Sequence, residues 1–316
     1  MIAFLFPGQG SQRVGMGEAL AEQFPEARKV FEEADLALGE SFSDSIFNGS
    51  VDWLILTQNT QPAILATSIA AYRVLSAQGI EPQTVAGHSL GEYSAHVAAG
   101  TLRLDDALRL VRNRGRYMQE AVPVGAGAMA AVLGLDLVKV QQACDEAADG
   151  EVVSPANLNA PGQIAIAGNV AAVTRASERA KALGAKRVIP LHVSAPFHCA
   201  LMQPAADRLT PELRAIAVER PRVPVIANVD ALPKVDPAAA IDALIRQIAS
   251  PVRWEDVIRR MAADGVRLFV EVGPGTVLSG LGRKILPDAI YTHVDSPEHV
   301  ENVVALAAAQ HVRGRA

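Results

Sequence analysis

The sequence predicts an α/β protein: a mostly parallel sheet flanked by helices, interrupted by a small β-α-β-β-α-β unit. Three observations carry this expectation. Short apolar runs of strand length recur along the 316 residues, with longer helical patterns between them. The order of those patterns changes between Pro123-Val124-Gly125-Ala126-Gly127 on one side and Pro190 to Pro196 on the other. The composition, 50% apolar and 20% charged, excludes a disordered chain and supplies the core of one large domain with room for a smaller insert.

Taken in order, Ile2 to Phe6 reads as a strand stopped by Pro7-Gly8. A helix is expected from Thr60, as N-cap with Pro62 in the first turn, through Ile64, Ile69 and Val74 to about Ala77, ending at Gly79. Thr84 to Ala86 is a short strand, Glu92 to Ala99 a helix stopped by Gly100, and Leu104 to about Ala121 a longer helix. The bracketed middle gives Ala128 to Leu133 as strand, Leu137 to Ala147 as helix, Val152-Val153 and Gln163 to Ala167 as strands, Val170 to Leu183 as helix and Arg187 to Ile189 as strand. That order is ferredoxin-like. It predicts a small subdomain over residues 124–193 inserted in a larger α/β subdomain formed by 1–123 and 194–316, with a ligand cleft between them. Val223 to Ile226 and Leu268 to Val272 complete the strand candidates, and Val303 to Ala309 forms an Ala-rich tail.

Charge and cysteine content exclude several function classes. With 29 Lys plus Arg against 34 Asp plus Glu, the chain carries a net charge of -5 and has no basic block. A nucleic-acid partner is therefore not expected. Cys144 and Cys199, with no CxxC spacing, make neither a disulfide framework nor a zinc site and suit a reducing compartment. The apolar start stops too soon for a signal peptide, and no run reaches membrane-spanning length. A cytoplasmic monomer with no membrane partner is expected.

The strongest local signal is Gly87-His88-Ser89-Leu90-Gly91, placed between a strand and a helix as the G-x-S-x-G frame requires. Glycines at 87 and 91 allow a tight turn that holds a serine at the positive end of a helix, where oxyanion charge is stabilised. Ser89 is the candidate nucleophile. A hydroxyl needs a base, most often histidine. Of the candidates, His88 points away from Ser89 across the turn, His96 lies two helical turns on, and His293, His299 and His311 fall late. His198, in Ser194-Ala195-Pro196-Phe197-His198-Cys199, sits where the chain re-enters the larger subdomain. It is the candidate base.

The helix from Leu104 offers a second clue. Leu104, Leu108, Val111, Gly115 and Met118 form its apolar stripe, and at about 100° per residue Arg109, Arg112 and Arg116 fall on the far side. Arg114 lies only roughly 60° from the stripe. A guanidinium leaning inward needs a partner, either an internal Asp or Glu or the acid group of a substrate. The glycine-rich Phe6-Pro7-Gly8-Gln9-Gly10-Ser11-Gln12 is not a nucleotide loop, because Arg13 stands where a third glycine belongs and no G-K-[ST] follows. Such a loop can instead turn backbone N–H groups toward an oxyanion.

Together these segments resemble the malonyl-CoA:acyl carrier protein transacylase family, the acyltransferases of fatty acid and polyketide synthesis. The resemblance runs over nearly the whole chain. It rests on Phe6 to Gln12, Thr60-Gln61-Pro62-Ala63, Gly87 to Glu92, Arg114-Gly115 with Met118-Gln119, Asn157 to Gly168, Pro196-Phe197-His198, Gln247 and Glu271 to Gly275. The resemblance implies a hydrolase-like core carrying the ferredoxin-like insert. It implies Ser89 as nucleophile, His198 as base held by the main-chain carbonyl of Gln247, and the N–H groups of Gln9 and Leu90 as oxyanion donors. Arg114 would grip the malonyl carboxylate, with Gln61, Met118, Asn157 and Phe197 lining the pocket; Phe197 and Leu90 resemble the residues of malonyl-selective members. The implied substrates are malonyl-CoA and the phosphopantetheine arm of acyl carrier protein, with no metal or redox cofactor, in fatty acid synthesis. An acidic carrier protein would meet a local basic patch, for which Lys181, Lys186 and Arg187, or Arg283 and Lys284, are candidates. Two rivals remain at this point: a serine hydrolase using His293 or His299, and a docking scaffold without chemistry.

Overall fold

The computed structural model describes residues 1–191 and 193–313. Among them, ten strands sort into two sheets: β1 (Ile2–Phe6), β2 (Thr84–Gly87), β3 (Gly127–Leu133), β4 (Val153–Ala160), β5 (Gln163–Asn169), β6 (Arg187–Leu191), β7 (Val225–Ile226), β8 (Pro233–Lys234), β9 (Leu268–Val272) and β10 (Ile290–Val294). The larger sheet has the order β10-β9-β1-β2-β7-β8 and is parallel except where β8 pairs with β7. β1 lies inside it and is buried along its length. Its alternation sends Ile2, Phe4 and Phe6 into one helix-covered core and Ala3 and Leu5 into the other, around Trp254 and Phe269. That continuous apolar run is what a strand covered on both faces requires.

The smaller sheet is antiparallel, in the order β4-β5-β3-β6, and all its strands come from residues 127–191. One face, with Ala130, Val132, Ile164 and Ile166, packs on the helices Leu137–Ala147 and Val170–Ala182. The opposite face presents Met129, Ala165 and Ala167, which cluster with Ala156 and Cys199. This is the hydrolase-like α/β core with a ferredoxin-like insert that the sequence led us to expect.

Several elements depart from expectation. The buried helix expected from Thr60 begins three residues earlier, as Thr57–Ala77 with Leu56 as N-cap. Thr60 is not a cap; it lies inside the helix, and its hydroxyl donates back to the carbonyls of Leu54 and Leu56, which precede the helix. The strand expected at Val152-Val153 runs on to Ala160, with bulges after Pro155 and Leu158 that obscure its alternation. β8, β10 and the helices Glu18–Gln23, Pro25–Leu38, Phe42–Asn48, Val51–Leu54, Gln203–Ala215, Pro237–Gln247, Trp254–Ala263 and Val277–Ile285 lie outside the elements expected. Among the described residues, no helix is long and apolar enough to cross a membrane.

Candidate active site

Ser89 sits on the turn between β2 and the helix Gly91–Ala98 with φ 52, a left-handed conformation that disfavours side chains by about 1–2 kcal/mol. The surroundings enforce it. A Cβ on Gly91 would stand 2.0 Å from the Phe6 carbonyl oxygen, and one on Gly87 1.9 Å from the Gly91 carbonyl. Only glycine lets the turn wedge against the end of β1. Asn228, just beyond β7, braces it further: its Oδ1 accepts the Ser89 N–H at 2.7 Å and its Nδ2 donates to the Gly87 carbonyl at 2.7 Å.

The structure brings His198 to the serine, with Nε2 2.6 Å from Ser89 Oγ. His198 Nδ1 lies 3.0 Å from the Gln247 main-chain carbonyl, which can only accept. The proton therefore resides on Nδ1, and Nε2 is left as the acceptor facing the hydroxyl. Burial, then the nearby Arg114 charge, lowers the imidazole to about 3, so it is neutral at neutral pH. A neutral imidazole is the base-competent form.

Arg114 is buried, with 2% exposure, while Arg109 and Arg116 face solvent. Its inward lean depends on Gly115, where a Cβ would meet the Thr57 carbonyl at 2.6 Å; the bare backbone lets the two helices close. No internal carboxylate forms an ion pair with it among the described residues. Nη1 donates to Gln61 Oε1 at 2.7 Å, and Nη2 to Gln247 Oε1 at 2.9 Å and Ser89 Oγ at 3.1 Å. The Tyr93 ring lies 5.5 Å beneath the guanidinium. Of the two partners open at the sequence level, the internal acid makes no direct contact with Arg114 among the described residues.

Ser89, His198, Arg114 and Gln61 line a cavity of about 410 Å³ between the sheets, together with Gln9, Leu90, Met118, Asn157 and Phe197. The N–H groups of Gln9 and Leu90 have no hydrogen-bond partner among the described residues, whereas the Gln9 side chain is anchored by the Thr57 hydroxyl at 2.7 Å. Asn157 reaches the cavity from the bulged part of β4, where it bridges to Val252.

Of the remaining histidines, His88 also lines the cavity, but no hydrogen bond joins its ring to Ser89. His88 pairs with Asn159 at 2.9 Å and packs on Trp254, and His96 is buried with neither ring nitrogen bonded. His293 and His299 pack on each other, and His299 bonds Asp295. His293, Asp295 and His299 bring potential metal-ligand atoms within 4.8 Å, but the Asp295 oxygens already hold His299 and Arg13. The side chain of His311 lies outside the described residues.

Sequence reasoning missed Asn228, the side chain of Gln247 and the role of Glu92. Gln247 Nε2 donates to the Ser89 carbonyl and to Glu92 Oε2, each at 2.8 Å, and Glu92 Oε2 also accepts the Asn228 N–H at 2.9 Å. The available signal was positional: Asn228 follows a parallel strand at its carboxyl end, where α/β sheets bind ligands.

A family profile described as the acyl transferase domain matches residues 3–305. The malonyl CoA-acyl carrier protein transacylase of Escherichia coli K12 is 50% identical over 296 residues, covering 93% of this chain and 96% of the relative. The crystal structure of an acyl carrier protein S-malonyltransferase from Vibrio cholerae superposes with a TM-score of 0.94 at 48% identity, covering 96% of this chain and 99% of that one. A malonyl-transacylase in complex with a type II PKS acyl-carrier protein has the same TM-score at 44% identity, with coverage of 96% and 99%.

Proposed function

The chain belongs to the acyl transferase domain family, and from that membership and the site geometry we propose that it moves a malonyl group from malonyl-CoA to the phosphopantetheine thiol of acyl carrier protein, for fatty acid synthesis. The single observation that carries this reading is the buried Arg114 guanidinium, without a carboxylate partner, 3.1 Å from a serine that is itself 2.6 Å from a neutral histidine. An arginine so placed meets a carboxylate one methylene beyond the acyl carbonyl.

In the first half-reaction His198 Nε2 takes the Ser89 proton as Oγ attacks the thioester carbonyl carbon. The Gln9 and Leu90 N–H groups hold the tetrahedral oxyanion. Its collapse breaks the carbon–sulfur bond; the departing CoA sulfur takes the proton from His198, and a malonyl ester remains on Ser89. In the second half the carrier protein's thiol gives its proton to His198 and attacks the ester, and Ser89 leaves with that proton. The chemistry as written calls for no metal or redox cofactor. Phe197 beside the base crowds a 2-methyl substituent, and Gln61, Met118 and Asn157 shape the rest of the pocket.

The same reading places a monomer in the cytoplasm, acting without nucleic-acid or membrane partners; its support is the acidic net charge and two buried, unpaired cysteines. It keeps the 124–193 insert as one subdomain against 1–123 and 194–316, with the substrate between them. For the carrier protein, Lys284 donates to Gln163, a cavity-lining residue on β5, and Gln163 pairs through Leu133 with Arg187 on β6. Residues of both candidate basic clusters thus flank one rim, with Lys186 beside them; Lys181 is exposed on the helix Val170–Ala182, and Arg283 is tied to Tyr291.

Steady-state kinetics with both substrates test the proposal. Parallel double-reciprocal lines are expected, and Lys284→Glu raises KM for the carrier protein alone. Intersecting lines, or release of malonate to water at the transfer rate, would contradict it in favour of a single-complex mechanism or a hydrolase.

A further inference from the structure

Arg114 is a buried cation whose nearest anion is reached through another residue. Among the described residues its bonded nitrogens meet the amide oxygens of Gln61 and Gln247 and the Ser89 hydroxyl, its buried Nε has no hydrogen-bond partner, and the neutral Tyr93 beside it supplies no anion. The Gln247 carboxamide lies between Arg114 and Glu92, with Oε1 on the guanidinium at 2.9 Å and Nε2 on Glu92 Oε2 at 2.8 Å. That orientation sets the amide dipole along the line from cation to anion.

Glu92 is itself fully buried. Both hydrogen bonds it accepts, from the Asn228 N–H and Gln247 Nε2, fall on Oε2, while Oε1 has no partner. A glutamine could supply that one acceptor. The hydrogen bonds alone therefore do not call for an acid at this position, and its charge is what remains to be explained.

We propose that Glu92 is a specificity-determining residue: relayed through Gln247, its carboxylate is the resting counter-charge of Arg114, and it limits how tightly the carboxylate of an incoming acyl group is held. The inference rests on the malonyl-transfer reading and deepens it. With no substrate, Glu92 balances the guanidinium. Once an acyl carboxylate arrives, one arginine faces two anions, and the resting counter-charge opposes the substrate. An acyl group lacking the acid, such as acetyl, does not meet this opposition.

Burial raises Glu92 to about 7, against the bonds from Asn228 and Gln247, which lower it. The opposition is thus weakest below that pH, where Glu92 is neutral, and strongest above it. The other charged or titratable groups around Glu92 keep one state across that range: burial lowers His198 to about 3 and raises Tyr93 to about 12, Arg114 stays a cation, and Lys234 and Arg246 hold Asp230 below the usual carboxylate range.

The test is single-turnover acylation of Ser89 by malonyl-CoA and by acetyl-CoA, followed by intact mass spectrometry in wild-type protein and in Glu92→Gln. The malonyl-to-acetyl ratio of efficiencies cancels the Ser89–His198 chemistry common to both donors. In the wild type this ratio falls on the order of threefold to tenfold as pH rises from about 6 to about 8. Glu92→Gln abolishes the fall and holds the ratio at or above the wild-type value of low pH, through a lower concentration for half-saturation by malonyl-CoA. A wild-type ratio flat in pH, or equal losses for both donors in Glu92→Gln, overturns the inference. The wild-type arm decides even where the variant fails to fold. A wild-type protein that takes up no malonyl group at any pH contradicts the parent reading instead, whereas malonylation with a flat ratio contradicts this inference alone.

Discussion

At the scale of single residues, Arg114 does work that no other cation in the cavity can share. Replacing it with alanine removes the only guanidinium bonded to Ser89 Oγ among the described residues and leaves Gln61 Oε1 and Gln247 Oε1 without its N–H groups. Arg114→Ala is expected to lower kcat/KM for malonyl-CoA by a factor equivalent to about 2–5 kcal/mol of lost transition-state stabilisation, while acetyl transfer changes little or improves. Comparing the two donors decides it, since equal losses would reduce Arg114 to a packing residue. Ser89, His198 and Arg114 were legible because each breaks a local rule: a serine between two glycines, a histidine at a chain re-entry and an arginine beside an apolar stripe. Asn228 and the Gln247 side chain break none. Their meaning comes from contacts spanning 139 and 158 residues to Ser89, which no local pattern encodes.

Elements explain why the site is rigid. The serine turn is pressed on β1 through Gly91, so Gly91→Ala pushes a methyl into the Phe6 carbonyl. We expect a loss of about 2–3 kcal/mol and a Tm lower by roughly 3–5 °C, with acylation reduced in step. Gly280→Ala, in the helix Val277–Ile285 with nothing within 4 Å of the added carbon, provides the control and should raise Tm slightly. Equal melting curves for the two variants would refute the wedge. Several element positions follow from apolar periodicity, as in Ile2–Phe6, Leu137–Ala147 and Leu268–Val272, whereas the helices between Glu18 and Leu54 and those from Gln203 to Ile285 were not placed. The start at Thr57 was hidden because Thr60-Gln61-Pro62 imitates a cap, whereas the true N-cap, Leu56, has an apolar side chain that makes no capping hydrogen bond. β10 was hidden because Ile290–Val294 is short and its residues Thr292 and His293 dilute the apolar run.

For the molecule as a whole, buried ionisable groups set the acid limit of stability. His96 and His198 are both lowered to about 3 by burial, so between that value and the ordinary histidine range the unfolded chain binds protons that the native state refuses. Their contribution to stability is full above about pH 6.5 and is lost as pH falls. Glu92, raised to about 7, acts in the opposite sense below that pH, one group against two. His96 has no polar partner to lose, so His96→Leu should remove about 2 kcal/mol of the destabilisation between about pH 8 and pH 5. Thermal melts at the two pH values check this; an unchanged difference would show that His96 is not the acid-sensitive group. At this scale the helix-covered larger sheet and the smaller β-α-β-β-α-β unit were readable from element order, but strand order was not, because β1 lies between β9 and β2, with β9 coming from the far end of the chain.

The central claim is that Ser89 becomes an acyl ester with His198 as its base. Intact mass spectrometry with peptide mapping after brief exposure to malonyl-CoA measures it most directly. A single malonyl group on Ser89, absent in Ser89→Ala and strongly reduced in His198→Ala, is the expected result. An unmodified wild-type protein, or an adduct that persists in Ser89→Ala, would contradict the account.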